Sequence, residues 1–217
     1  MKKYLYRVAA ALVLAGGFMT SAHAVPVTIN MTADNIASVG GLCADASCRS
    51  GTGWNALNGG PLGNSRRDWR QSDSLTVDLD AGTYYFAWRV RNIGRASRSN
   101  PAGLLAEILW DGGANYSSSD WEVFNRNTGV FLANATDYGL NGGANIWTNA
   151  NGGNPVAGIS TNASWIYTAN NFANADRAAW FRTSITIAPT SVPEPGALGL
   201  FGIGLIGLAM VRRKRTA

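Results

Sequence analysis

Three tryptophans stand in polar, turn-rich stretches where an aromatic ring has no obvious core to enter. They are Trp54 in GTGWNALNGG, Trp69 in RRDWRQ and Trp147 in ANIWTNANGG. A ring exposed in that setting stacks on the apolar face of a pyranose, while Asp, Asn and Arg side chains fix the hydroxyls. The competing expectation for each ring is that it folds back over the edge of the domain. Asp34 and Asn35, in TADN, extend the set. They read as sugar contacts, as oxygen ligands of a structural Ca²⁺, or as an Asx turn, and the turn is the leading expectation. No other cofactor and no other metal site is expected.

Catalytic chemistry has few residues to work with. The one histidine, His23, precedes the expected cleavage point, and Val25 to Ser191 contains no lysine. Histidine-based triads, Schiff-base chemistry and His-rich catalytic zinc sites are therefore excluded from that region. No phosphate-binding loop of the Gly-rich Lys-Ser/Thr type is present. A carboxylate pair for glycoside hydrolysis survives as an option, with Asp34, Asp68, Asp73, Glu107, Asp111, Asp120 and Glu122 as candidates. Such a pair needs a separation of about 5 Å or roughly 6.5–9.5 Å, which spacing along the chain does not supply. With so few acids, most are expected to form turns or pair with arginine. The expectation is a protein that is not an enzyme.

Both ends of the chain read as addresses. MKKYLYR supplies cations, VAAALVLAGGFM is a short apolar core, and AHA places small residues at Ala22 and Ala24. That is the layout of a secretory signal peptide over 1–24, removed by signal peptidase before Val25. At the other end, Pro193 and Pro195 hold the backbone around Glu194 extended. Gly196 to Val211 is an uncharged run of 16 residues, and Arg212, Arg213, Lys214 and Arg215 follow it. An apolar run abutting a basic cluster suits a transmembrane helix with its cations on the cytoplasmic side better than it suits a buried core helix.

The order VPEP, apolar span, RRKR resembles the PEP-CTERM sorting signal of Gram-negative bacteria over 191–217. The resemblance implies an inner-membrane-tethered precursor, processing by an exosortase-type membrane protease near Pro193-Glu194-Pro195, and final residence at the cell surface or outside the cell. It also implies a setting of exopolysaccharide and biofilm.

Between these addresses, 167 residues from Val25 to Ser191 form one expected domain, about 25–190. It has 11 Arg against 12 Asp plus Glu, a net formal charge of −1. The basic character of the whole chain therefore belongs to the termini, and a nucleic-acid partner is not expected. Twenty Asn favour turns, and all eight Trp lie here. Cys43 and Cys48 read as a disulfide closing a small loop, because an exported setting favours oxidation and no further Cys or His is nearby to complete a metal site.

The elements that must position these residues are strands. Alternating or β-rich runs occur at 25–32, 73–80, 84–92, 102–112, 121–125, 164–169 and 178–189. In the second, Leu75, Val77 and Leu79 share a face; in the third, Tyr84, Phe86, Trp88 and Val90 are the expected core face. Trp88, Trp110 and Trp180 sit in strand patterns and are expected in the core. Residues 35–72 read as a long insertion and 139–162 as a surface loop. About eight such strands predict an all-β fold, an antiparallel β-sandwich.

The order of TADN, DSLTVDLDAGTYYFAWRVRN, AGLLAEILWDG, SDWEVF, SWIYTA and AAWFRTSITI resembles galactose-binding-domain-like jelly rolls. The stretch after Asn35 departs from that pattern, where the Cys43–Cys48 loop replaces a strand. The function expected from all this is an exported, non-catalytic carbohydrate-binding or interaction module that meets extracellular polysaccharide. Alternatives are a ligand-free structural surface protein and a carboxylate-dependent glycosidase.

Overall fold

A computed structural model of the chain describes residues 24–43, 55–56, 68–125, 127–173, 177–189 and 204. By its internal contacts the chain divides into a unit spanning Ala24–Ala188 and a second made of the two termini. The first carries every strand below.

The opening strand sets the pattern for the rest. In β1 (Val25–Asp34) the residues alternate strictly. Val27, Ile29, Met31 and Ala33 turn to one side and are fully buried, and Thr28, Asn30, Thr32 and Asp34 turn to the other. β1 lies between β4 (Asp73–Leu79) and β6 (Gly103–Trp110), antiparallel to both, with Ile29 opposite Leu75 on one side and Ile108 on the other. β11 (Ser164–Tyr167) and β10 (Thr136–Leu140) extend this sheet beyond β6, and β7 (Gly113–Tyr116) pairs with the second half of β6.

The second sheet is built around β5 (Gly82–Arg91) and β12 (Ala178–Ile187), which pair antiparallel along their full lengths. β2 (Ile36–Cys43) and β3 (Asn55–Ala56) lie beyond β5, and β8 (Glu122–Asn125) and β9 (Phe131–Asn134) lie beyond β12. Phe86, Trp88 and Val90 of β5 and Phe181, Ile185 and Ile187 of β12 meet the inward face of β1 and β6 in one shared core. The expected antiparallel β-sandwich is thus present, with two six-stranded sheets facing each other. Trp88 and Trp121 stack within it at 5.0 Å and 13°, a geometry worth roughly 1 kcal/mol beyond the area the rings bury. Leu75, Val77, Tyr84 and Trp110 pack against the core while only partly buried. Trp180 is buried as well, on the outward-facing set of β12.

Two expectations about loops need correction. The insertion at 35–72 begins as strand: the chain leaves β1 through a cis Asp34-Asn35 peptide bond, changes sheets, and pairs with β5 as β2. Its IASVGGLC sequence alternates too weakly to announce this, and the pairing partner supplies the order.

The second correction concerns 139–162, which is not a loose surface loop. It holds the end of β10, a short helix α1 (Ile146–Ala150), and the buried residues Asn141, Trp147, Thr148, Val156 and Ile159. Asparagine side chains do here what a ladder does in a sheet. Asn141 donates from Nδ2 to the carbonyls of Val156 (3.0 Å) and Ile159 (2.8 Å) and accepts at Oδ1 from the Val156 amide (2.7 Å). Asn145 caps α1 by accepting from the Thr148 amide at 2.8 Å and donates to the Leu140 carbonyl at 2.7 Å. Buried backbone polar groups in an irregular segment must find partners, and these two side chains provide them.

Candidate functional site

The outward face of β1 is a ladder of polar residues, each tying the strand to something different. Thr28 meets Thr76 on β4 at 2.9 Å. Asn30 donates to Glu107 on β6 at 2.8 Å. Thr32 donates to the Trp69 carbonyl at 3.1 Å. Asp34, at the end, accepts from the indole N–H of Trp147 at 3.0 Å and from the Asn35 side-chain amide at 2.6 Å.

Over this face the 139–162 segment closes a second, smaller core. Leu105, Trp147, Val156, Ile159, Ala163 and Trp165 form it, and the half-buried rings of Trp69, Tyr116 and Tyr138 rim it. Trp147 and Trp165 stack at 4.5 Å and 10°, and Trp69 meets Trp165 edge-on at 5.9 Å and 81°. Gly103 lies beneath the stack, where a Cβ would come within 2.5 Å of Trp147 and 3.0 Å of Trp165.

The structure therefore brings together four of the residues singled out in the sequence: Asp34, Asn35, Trp69 and Trp147. It gives them different parts. Trp147 is 1% exposed, so the expectation of a solvent-facing ring is corrected. Its apolar ring finds a partner in Trp165, and its N–H finds Asp34. Asn35 Oδ1 accepts from the Ile93 amide at 2.9 Å, pinning the chain where it changes sheets.

Burial drives the Asp34 carboxyl up from 3.8 to about 6, against the opposing pull of the Trp147 N–H, the Arg70 charge and the Asn35 amide. Both carboxylate oxygens already accept from N–H donors. Among the described residues no three His, Cys, Asp or Glu cluster at metal-binding range.

Trp69, by contrast with Trp147, is only half-buried. The Arg70 guanidinium lies 4.4 Å from its ring centroid and reaches the Ala150 carbonyl at 3.4 Å and Asp68 at 3.6 Å. The other expected carboxylates are mostly occupied. Glu107 is buried, accepting from Asn30 and from the Ser160 amide at 2.9 Å. Glu122 pairs with Arg182 at 2.6 Å, and that guanidinium lies 4.8 Å from the Phe124 ring.

A second feature went unmarked in the sequence. Where the chain crosses between the sheets from β7 to β8, an open cleft of about 350 Å³ forms beside Asn115, Tyr116, Asp120, Trp121, Asn162 and Thr183. Its frame is rigid. The Trp121 indole donates to Asn115 Oδ1 at 2.9 Å, and Asn115 Nδ2 donates to Thr183 Oγ1 and to the Ser184 carbonyl, each at 3.0 Å. Only Asp120 among these stood out in the sequence, as an acid; Tyr116 in GANY and Asn162 in STNAS carry no local signal that they converge.

Trp54, Cys48, Ala22, Pro193, Glu194, Pro195, Arg212, Arg213, Lys214 and Arg215 lie outside the described residues, as does the expected membrane span at 196–211 apart from Gly204. Cys43 ends β2, but the expected bond to Cys48 falls outside the described residues with its partner. Ala24 is exposed, immediately before β1. Among the described residues no helix is long and apolar enough to cross a membrane.

No curated protein and no solved structure matches the chain. One family description does: residues 191–215 match the PEP-CTERM protein-sorting motif. The chain carries the PEP-CTERM signal of an exported, membrane-anchored precursor that is processed by an exosortase-type protease.

Proposed function

We propose that the exported sandwich is a non-catalytic carbohydrate-binding module that engages extracellular polysaccharide at the cell surface or in a biofilm matrix. In this reading it is a jelly roll of the galactose-binding-like type, a view supported by two antiparallel sheets sharing one core and by β1 running on into the opposite sheet as β2. The observation that carries the proposal is Trp69. This half-buried ring meets a buried tryptophan stack edge-on, with the Arg70 guanidinium over one of its faces and the Asp68 carboxylate paired to that guanidinium, which leaves the other face for a ligand. A rigid aromatic face beside polar groups loses little freedom when a sugar ring stacks on it. The competing reading, a ligand-free structural surface protein, draws on the burial of Trp147, whose packing serves the fold.

Binding of the purified chain to an immobilised glycan panel tests the proposal. Retention on at least one neutral polysaccharide, weakened about tenfold or more by Trp69→Ala, is the expected result. Absence of retention on every glycan overturns it in favour of the structural reading. Release of reducing ends from a retained polysaccharide would instead make the protein a glycosidase.

A further inference from the structure

The cleft between β7 and β8 adds a site that the sequence did not point to. We propose that it binds a neutral hexopyranose unit, held by Tyr116, Asp120 and Asn162. The inference rests on the carbohydrate-binding reading above, and names a further contact for it beyond Trp69.

The argument starts from which polar groups are already spoken for. Asn115, Trp121 and Thr183 bond one another and form a fixed wall, with Trp121 itself 1% exposed. Ser118 Oγ accepts from the Asp120 amide at 3.2 Å and sets the turn that carries Asp120. Asn162 is placed by its own amide, which donates to Ser160 Oγ at 3.1 Å. The Tyr116 hydroxyl, the Asp120 carboxylate and the Asn162 side-chain amide, by contrast, have no hydrogen-bond or ion-pair partner among the described residues. Three uncommitted groups thus belong to residues that line one cleft from two segments, the end of β7 with the turn after it and the loop at 160–162, each held by a backbone that is itself bonded.

Their chemistry selects the ligand. Asp120 is acceptor-only, Asn162 both donates and accepts, and the Tyr116 phenol does either. Sugar hydroxyls, which donate and accept at once, satisfy all three. The lining contributes one negative charge and no cation, so a uronate or a phosphorylated sugar meets repulsion rather than a partner. The volume of about 350 Å³ lies at the small end of ligand pockets, roughly 300–1,000 Å³, a size suited to one sugar unit of a longer chain that runs out into solvent. Hydrolysis requires a second carboxyl group at a defined distance, and Asp120 is the one carboxylate among the residues lining the cleft. The cleft holds a glycan and leaves its bonds intact.

Ligand-observed NMR of the full chain in detergent micelles tests this with methyl glycosides of glucose, galactose, mannose and N-acetylglucosamine, and with methyl glucuronide as the charged probe. At least one neutral glycoside is expected to bind, with the glucuronide at least tenfold weaker. Asp120→Ala and Asn162→Ala are each expected to weaken binding about tenfold, and Tyr116→Phe several-fold. Asp120 and Asn162 are both exposed, so an unchanged circular dichroism spectrum should accompany each loss. Glycoside binding that survives both substitutions but disappears in Trp69→Ala overturns the cleft and leaves the carbohydrate-binding function standing. If the wild-type chain binds none of the neutral glycosides, while glycan retention persists, the hexose assignment fails. If retention fails as well, both proposals fail together.

Discussion

The Trp147 indole donates to the Asp34 carboxylate at 3.0 Å across 113 positions of sequence. This bond fastens the cover of the second core to the end of the strand that opens the first. Trp147→Phe keeps an aromatic ring on Trp165 and removes the N–H, leaving a buried carboxylate short of a donor. Such a loss costs about 1–3 kcal/mol, and the vacated volume adds to it. Trp147→Ala, which also abolishes the stack, is expected to cost about 3–5 kcal/mol. Urea unfolding of the two variants measures both effects. Equal stability of Trp147→Phe and wild type would show that the bond contributes nothing.

The same carboxyl makes stability depend on pH in an unusual direction. With its folded pKa raised from 3.8 to about 6, Asp34 holds a proton between those values that the unfolded chain has released. Its contribution is fully present below about pH 4 and is lost as pH rises through about 6, a change of roughly 3 kcal/mol. Denaturant midpoints taken from pH 4 to pH 7 should fall along this limb, and Asp34→Asn should flatten it whatever it does to the baseline. Removing the Arg70 charge, which favours the ionised form, should carry the limb to higher pH. A profile unchanged by Asp34→Asn would rule out this origin.

Much of the sandwich is legible in the order of residues alone, because one side chain in two must be apolar where one face is buried. Val27, Ile29, Met31 and Ala33 say so in β1, and Phe86, Trp88 and Val90 say so in β5. What stays hidden is order imposed from a distance. β2 takes its place through pairing with β5, and the 139–162 cover is held by Asn141 and Asn145 bonding to backbone, an arrangement with no period to detect. The tryptophan in ANIWTNANGG drew attention for its chemistry, but its nearest ring partner, Trp165, belongs to a strand whose pattern gives no hint of the meeting. Likewise the cleft joins Tyr116 and Asp120, neighbours on one turn, to Asn162 from a segment that only the fold brings beside them.

The sorting motif makes a prediction independent of the sandwich. If residues 191–215 direct exosortase processing, replacing Pro193, Glu194 and Pro195 together with alanine should trap the precursor in the membrane fraction with its tail intact. Mass spectrometry of fractionated cells should then find a peptide containing the Arg212–Arg215 cluster in the variant and lack it in the processed wild-type protein. Normal release of the variant would place the processing determinant elsewhere.

Gly103 offers the sharpest test of how tightly the second core is built. A Cβ at this position would sit 2.5 Å from Trp147 Cζ2, 3.1 Å from Trp147 Cε2 and 3.0 Å from Trp165 Cε3, closer than carbon atoms approach without displacement. The stack has nowhere easy to go: Trp165 is fully buried on β11, and Trp147 is held by Asp34 at one end and by Tyr138 edge-on at 6.2 Å. Gly103→Ala is therefore expected to destabilise by about 1–3 kcal/mol and to alter tryptophan fluorescence, although it adds one methyl group. Combining it with Trp147→Leu removes the ring that the methyl group strikes, so the double variant should be more stable than the sum of the two single losses predicts, by at least about 0.5 kcal/mol. Strict additivity would mean that the strand and the cover are not in contact at Gly103.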